Sequence, residues 1–234
     1  MSSAPSKQIL PLGSMVFCDF DGTITARDTL QAVCNEFIPD VAARVLPAIG
    51  RREISLRAGV SELINNLPTA AATDIRDFVC RIPLREGFVQ FAQQLQDWQV
   101  PLVVLSGGMG FCVEARLQPW RRLLHNVHAL DINFDQTFMH VQLCADSGDE
   151  TLPKAAVMRA YGAGHSIAIG DSLSDHSMAL QADRVFARDR LLSFMHDQHR
   201  AVEAFCDFDD ILAALRLHPD HDHNGSPAAM DYAQ

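Results

Sequence analysis

A chain of 234 residues with an ordinary globular composition can bury a core and form one or two domains. Its formal net charge of −10, without any block of like charges, argues against a general nucleic-acid binder and against an anionic membrane surface as partner. Six scattered cysteines with no Cys-x-x-Cys pair point to a reduced, cytoplasmic protein, and no apolar run approaches the ~20 residues of a membrane span.

Residues 1–12 are Ser/Pro-rich, lack the apolar core of a signal peptide and are expected to be flexible. Residues 15–18 read as a buried strand. Asp19 and Asp21 arrive at its carboxyl end, Gly22 lets the chain turn sharply, and Thr23 adds a hydroxyl. Open parallel sheets place their active sites just outside the carboxyl ends of strands. A carboxylate there can serve as a nucleophile or as a hard oxygen ligand for Mg²⁺. The competing reading is an Asp-rich turn that only caps a strand.

Residues 29–81 carry no strand pattern. Leu30, Val33, Cys34 and Phe37 recur at helical spacing, as do Val60, Leu63, Ile64 and Leu67. Pro39, Pro47, Gly50 and Pro68 divide the segment into three or four helices. Inserted directly after the two aspartates, it reads as a lid over the site or as a plain helical subdomain.

From Gly87 helices and strands alternate. A helix face of Phe88, Phe91, Ala92 and Leu95 precedes an apolar strand at 100–105, which ends in Ser106-Gly107-Gly108. A helix at 111–117, a strand at 127–132 and a hairpin strand at 138–144 follow. Then come a helix at 154–161, a strand at 166–169, a helix at 173–180, a short strand at 184–187 and a final helix at 207–217. This alternation predicts a doubly wound α/β fold with a parallel sheet. The tail, 218–234, is polar. Its His218, His221 and His223 alternate with aspartates, and a solvated end is a better reading than a metal site.

Three segments can complete the first. The Ser106 hydroxyl and the amides of Gly107 and Gly108, at a strand-to-helix turn, can cradle phosphate oxygens. Lys154 opens a helix after Pro153 and can neutralise a phosphoryl group. Asp171 follows a third apolar strand and can ligate a metal, with Asp175 one helical turn later to hold it. Helix capping is the competing reading for Asp171 and Ser172.

Together the four segments resemble the signatures of the haloacid dehalogenase superfamily in type, order and spacing, across about 15–217. The helical insertion and Ser106-Gly107-Gly108 resemble its phosphoserine-phosphatase-like branch. The resemblance implies a Rossmann-type α/β core at 13–28 and 82–217, a helical cap at 29–81, and flexible ends at 1–12 and 218–234. It also implies a phosphomonoesterase with Asp19 as nucleophile and Asp21 as general acid and base. Ser106 and Lys154 would hold the phosphoryl oxygens. Mg²⁺ would be bound by Asp19, the Asp21 carbonyl and Asp171, with Asp175 in support.

Two substrates follow from two sets of relatives. Phosphoserine phosphatases carry an acidic residue near the position of Asp28 and a lid arginine that would align at Gly59, with Arg57 two residues away. The run 54–60, Arg85-Glu86-Gly87-Phe88, Ser106-Gly107-Gly108-Met109 and Val185-Phe186-Ala187-Arg188-Asp189 instead resemble phosphatases of an enol-phosphate in methionine salvage. For that thioether substrate, Leu30, Val33, Phe37, Met109 and Phe111 are candidate pocket residues, and Asp28, Gly107, Gly108 and Met109 candidate binding residues. Gly59 is expected to leave room in place of the arginine. The expected partner is a small phosphomonoester, and the expected state a monomer or homodimer. A non-catalytic phosphate-ester binder and a mutase are the alternatives.

Overall fold

The computed structural model describes residues 10–143 and 150–217. The flexible ends, the tail histidines and the end of the hairpin strand at Cys144 fall wholly or partly outside the described residues.

The strands are Ser14–Asp19 (β1), Leu102–Met109 (β2), Asn126–Phe134 (β3), Met139–Gln142 (β4), His165–Gly170 (β5), Arg184–Ala187 (β6) and Glu203–Ala204 (β7). They form one sheet of seven in the order β4-β3-β2-β1-β5-β6-β7. Neighbours are parallel except in the β3–β4 hairpin. From β1 the chain builds outward through β2 to β4, then returns to the other side of β1 for β5 to β7. The crevice lies where these directions part, at the carboxyl ends of β1, β2 and β5. There Asp19 pairs with Leu105 and Cys18 with Ile169, so the three strand ends are level.

The helices are Thr29–Phe37 (α1), Pro39–Gly50 (α2), Leu56–Ile64 (α3), Ala72–Arg81 (α4), Phe88–Asp97 (α5), Gly110–Leu117 (α6), Lys154–Tyr161 (α7), His176–Ala179 (α8), Asp189–Asp197 (α9) and Phe208–Leu217 (α10). Strand residues alternate between the faces of the sheet. Val16, Cys18, Val104 and Ile169 therefore pack with Phe91 of α5 and Ile211 of α10. Phe17, Val103 and Ala168 face the other way, toward Met158 of α7 and Leu191 of α9.

Four helices fill 29–81, as the spacing predicts. One part of this segment shares a core with the sheet side, where Val33, Ile75 and Val79 meet Met109, Cys112 and Leu130. Another part has a small core of its own, from Cys34, Ala42, Val45 and Leu63. The two ends of the segment run side by side. The Ala26 N–H donates to the Pro83 carbonyl at 2.9 Å, the Arg85 N–H donates to the Ile24 carbonyl at 2.7 Å, and Thr25 bridges Leu84.

The elements differ from expectation in four places. Pro47 lies inside α2 instead of ending it, because only one helical hydrogen bond, that of its missing N–H, is forfeited near the C-terminus. β2 continues through Ser106 to Met109, with a register shift against β3, where a turn was expected. The helix at 173–180 is a tight turn, Leu173–Asp175, followed by the short α8. Helix α9 and β7 occupy residues with no expected element, although Leu191 and Met195, four apart, are buried on one face of α9.

Candidate active site

The residues after β1 do not run straight into a helix. Phe20–Ile24 form a wide turn, closed by the Thr25 N–H donating to the Phe20 carbonyl at 3.0 Å. Gly22 sits at its apex with φ +84°, and a Cβ there would lie 2.6 Å from Asp171 Oδ2. Both the left-handed backbone and the close approach require glycine.

Asp19 is buried at the end of β1. Its Oδ1 accepts from Lys154 Nζ at 2.5 Å, and the same ammonium donates to Asp175 Oδ1 at 2.6 Å. Asp19 Oδ2 is buried with no hydrogen-bond partner. Asp175 is fully engaged, since its Oδ2 accepts from the N–H groups of Asp171 and Ser172 at 3.2 and 3.0 Å. Thr23 Oγ1 donates to Asp171 Oδ1 at 2.8 Å. Ligand oxygens of Asp19, Asp171 and Asp175 lie within 4.8 Å of one another.

Electrostatics follow from this crowding. Burial alone would lower the Lys154 pKa, but the charges and hydrogen bonds of Asp175 and Asp19 reverse that and hold it protonated. Burial, then the charge of Asp175, push Asp19 up and raise Asp171 to about 7. One ammonium faces three carboxylates, so the site carries surplus negative charge. An all-oxygen donor set with an unpartnered buried oxygen suits a hard divalent cation such as Mg²⁺.

Asp21 points elsewhere. Its Oδ2 accepts from Ser106 Oγ at 2.7 Å, and its Oδ1 accepts from the Thr29 hydroxyl and, at 3.3 Å, from the Thr29 N–H. The Gly108 N–H in turn donates to Ser106 Oγ at 2.9 Å. Ser106 and Lys154 thus each grip a carboxylate from behind. Asp28 caps α1 by accepting from the Gln31 N–H at 2.8 Å and faces open space in the cavity; burial of its surroundings, then the charge of Asp21, raise it to about 6.

A cavity of ≈730 Å³ opens above these groups. Asp19, Asp21, Gly107, Gly108 and Thr151 form its floor, and Asp28 stands at one side. Its roof is mainly apolar, from Leu46 and Ile49 of α2, Ile54 of the connecting loop, and Val60 and Leu63 of α3, with Arg52 and Ser55 at its rim. Arg52 and Arg190 are its basic residues besides His176.

Of the five candidate apolar residues, only Leu30 lines this cavity. Val33 and Met109 lie in the core shared with the sheet, against which Phe37 and Phe111 pack. Met109 is 3% exposed because β2 runs on through it, carrying its side chain into that core. Gly59 leaves no room for a larger residue. A Cβ there would lie 2.4 Å from Ile49 Cδ1, so Ile49 fills the space.

Arg85 carried no expected role. Its guanidinium donates to the carbonyls of Gly22 at 2.5 Å, Thr23 at 2.8 Å and Thr25 at 3.4 Å, clamping the turn that bears Asp21. Thr29, beside Asp21, is equally unmarked in the sequence. A hydroxyl at the first position of a helix carries no spacing signal, and an isolated arginine carries none for carbonyl binding.

Residues 16–180 match the family of haloacid dehalogenase-like hydrolases. The chain belongs to that family. It is 36% identical, over 88% of its length and 99% of the relative's, to a protein of Microcystis aeruginosa named 2-hydroxy-3-keto-5-methylthiopentenyl-1-phosphate phosphatase. A Bacillus cereus protein of the same name is 35% identical over 86% of this chain and 95% of its own. Among solved structures, a phosphoserine phosphohydrolase-like protein from Francisella tularensis superposes with a TM-score of 0.69 at 14% identity, covering 86% of this chain and 98% of the other. That likeness bears on the fold: a mostly parallel α/β sheet of Rossmann type. Among the described residues no helix is long and apolar enough to cross a membrane.

Proposed function

We propose that the chain is an Mg²⁺-dependent phosphatase of 2-hydroxy-3-keto-5-methylthiopentenyl 1-phosphate. The reaction class, hydrolysis of a phosphoric monoester, follows from the family and the relatives' names; the substrate, the metal and the residue roles are the proposal. The observation that carries it is the Asp19 carboxylate, with one oxygen fixed by Lys154 and the other unpartnered at the cavity floor.

Asp19 attacks phosphorus, the ester P–O bond breaks, and the departing oxygen takes a proton from Asp21. Asp21, now ionised, removes a proton from water, which attacks the aspartyl-phosphate, releases inorganic phosphate and restores Asp19. A positioned acid–base group of this kind is worth about 10²–10⁴ in rate. Ser106 and Thr29 hold Asp21 in place through both its oxygens. The Lys154 charge opposes the burial and the Asp175 charge that disfavour an ionised Asp19, and the Gly107 and Gly108 backbone offers a surface to phosphoryl oxygens. Asp19 and Asp171 would hold Mg²⁺, joined by the Asp21 carbonyl and supported by Asp175. When bound, the ion would supply charge neutralisation for phosphoryl transfer. The segment 29–81 acts as a cap that closes the cavity and excludes water. The cytoplasm is the expected compartment, and a monomer or homodimer the expected state.

Phosphoserine is disfavoured because Ile49, and no arginine, occupies the space beside Gly59 where the resemblance to phosphoserine phosphatases would place the lid arginine. The test is kcat/KM on the enol-phosphate and phosphoserine, each with Mg²⁺ and with excess chelator. Preference for the enol-phosphate and loss of activity on chelation are expected. Preference for phosphoserine, or full activity in chelator, would sink the substrate or the metal assignment respectively.

A further inference from the structure

The geometry points to a tail-binding bay in the cavity roof, built on the Gly59–Ile49 contact and selective for an uncharged apolar chain on the phosphate ester. The inference rests on the phosphatase reading and assigns the part of the site that chooses among esters. Leu46, Ile49, Ile54, Val60 and Leu63 present hydrocarbon to the cavity from two helices and their loop. None can donate or accept a hydrogen bond from its side chain, so a charged or amide-bearing tail would lose its water there without replacement.

The bay exists because residue 59 lacks a side chain. Ile49 Cδ1 and Cγ1 both lie 2.4 Å from where a Cβ would sit, and Ile54 Cδ1 lies 3.3 Å away. Ile49 is therefore seated against the α3 backbone, which sets the depth of the roof. Any side chain at 59 would push Ile49 toward the floor and shorten the bay. Polar groups line the rest of the cavity: Asp28 beside the floor, Arg190, and, in the connection that carries Ile54, Arg52 and the α3 cap Ser55 at the rim. A ligand that fits both halves has its phosphate over Asp19 and an apolar end, such as a thioether or alkyl group, beneath Ile49.

Phosphate release by the full chain with Mg²⁺ tests this on n-alkyl phosphates from ethyl to hexyl, on phosphoethanolamine, and on nitrophenyl phosphate as a general ester. In the wild type kcat/KM should climb about fourfold per methylene until the bay is full. Ile49→Ala should cut the hexyl-to-ethyl ratio by roughly tenfold, and Ile49→Met should largely restore it. Gly59→Ala should move the optimum to a shorter chain. A flat wild-type profile, a ratio unmoved in folded Ile49→Ala, or phosphoethanolamine outperforming hexyl phosphate would each overturn the bay. If Ile49→Ala fails to fold, the wild-type profile still decides. Turnover with a flat profile overturns the bay alone, whereas no turnover of any ester overturns the phosphatase reading with it.

Discussion

The floor and the roof of the cavity are built on opposite principles. The floor is polar, and the carboxylates in and beside it are held to within a hydrogen-bond length by partners from other segments: Lys154 on Asp19, Ser106 on Asp21, Thr23 on Asp171. The roof is mainly apolar and is positioned by packing, through contacts such as Ile49 on Gly59. Rigid strand ends suit chemistry, which tolerates little displacement. Helix packing suits selection, because one side chain changes the shape of the space without disturbing the reacting groups.

The difference predicts that floor variants lose turnover on every ester, whereas roof variants change which ester is preferred. Asp19→Asn should show the largest effect. It keeps the shape and removes the nucleophile, so kcat should fall by about 10⁴ or more on short and long tails alike. Its melting temperature without metal should not drop, since one buried like charge is gone. Substantial activity in the folded variant would break the assignment of the floor.

Asp21→Asn should cost about 10²–10⁴ in kcat on alkyl esters and less on nitrophenyl phosphate, whose leaving group hardly needs a proton. Equal losses on both would remove Asp21 from the acid role.

The floor also predicts a pH dependence that the roof lacks. Burial, then Asp175, raise Asp171 from 3.8 to about 7. The fold therefore favours its protonated form. That contribution to stability is full below 3.8 and is lost as pH rises through about 7. Chelated protein should melt lower above pH ~7 than near pH ~5, and Mg²⁺ should raise the melting temperature more in the higher range. A metal effect independent of pH would count against Asp171 as a ligand.

The smallest effect belongs to the rim of the roof. Arg52 follows α2 with φ +59°, a left-handed position that favours glycine at helix ends. Arg52→Gly should stabilise the fold by at most about 1 kcal/mol, or roughly 2–4 °C in Tm. A lower Tm would show that the arginine side chain itself holds the rim.

This contrast also explains which parts of the molecule are legible in its sequence. Asp19, Asp21, Ser106 and Asp171 stand at or just past the ends of apolar runs, so their convergence follows from the parallel sheet alone. Lys154 is recognisable by its place at a helix start and by family resemblance. The cavity wall is another matter. Helical spacing shows that Val33 and Leu63 are both inward-facing, but not that one meets the sheet-side core while the other meets the cavity. Met109 is misplaced for a related reason, since two glycines suggest a turn while the backbone continues as a strand. Gly59 reads as empty space until Ile49, ten residues earlier, is seen to occupy it.

The stitched ends of the helical segment have a consequence for how this architecture can diversify. Residues 29–81 leave and re-enter through adjacent backbones at Thr25 and Leu84, joined by two hydrogen bonds and gripped on the floor side by Arg85. An insertion whose ends already touch imposes no stretch on its host. Helix α2, which packs in the segment's own small core, can therefore change in length while the reacting groups stay in register, whereas Thr29 on Asp21 and the shared core tie α1, α3 and α4 to the sheet side. The part of the insert that packs only on itself is then free to accumulate substitutions at a different rate from the strand ends that carry the aspartates.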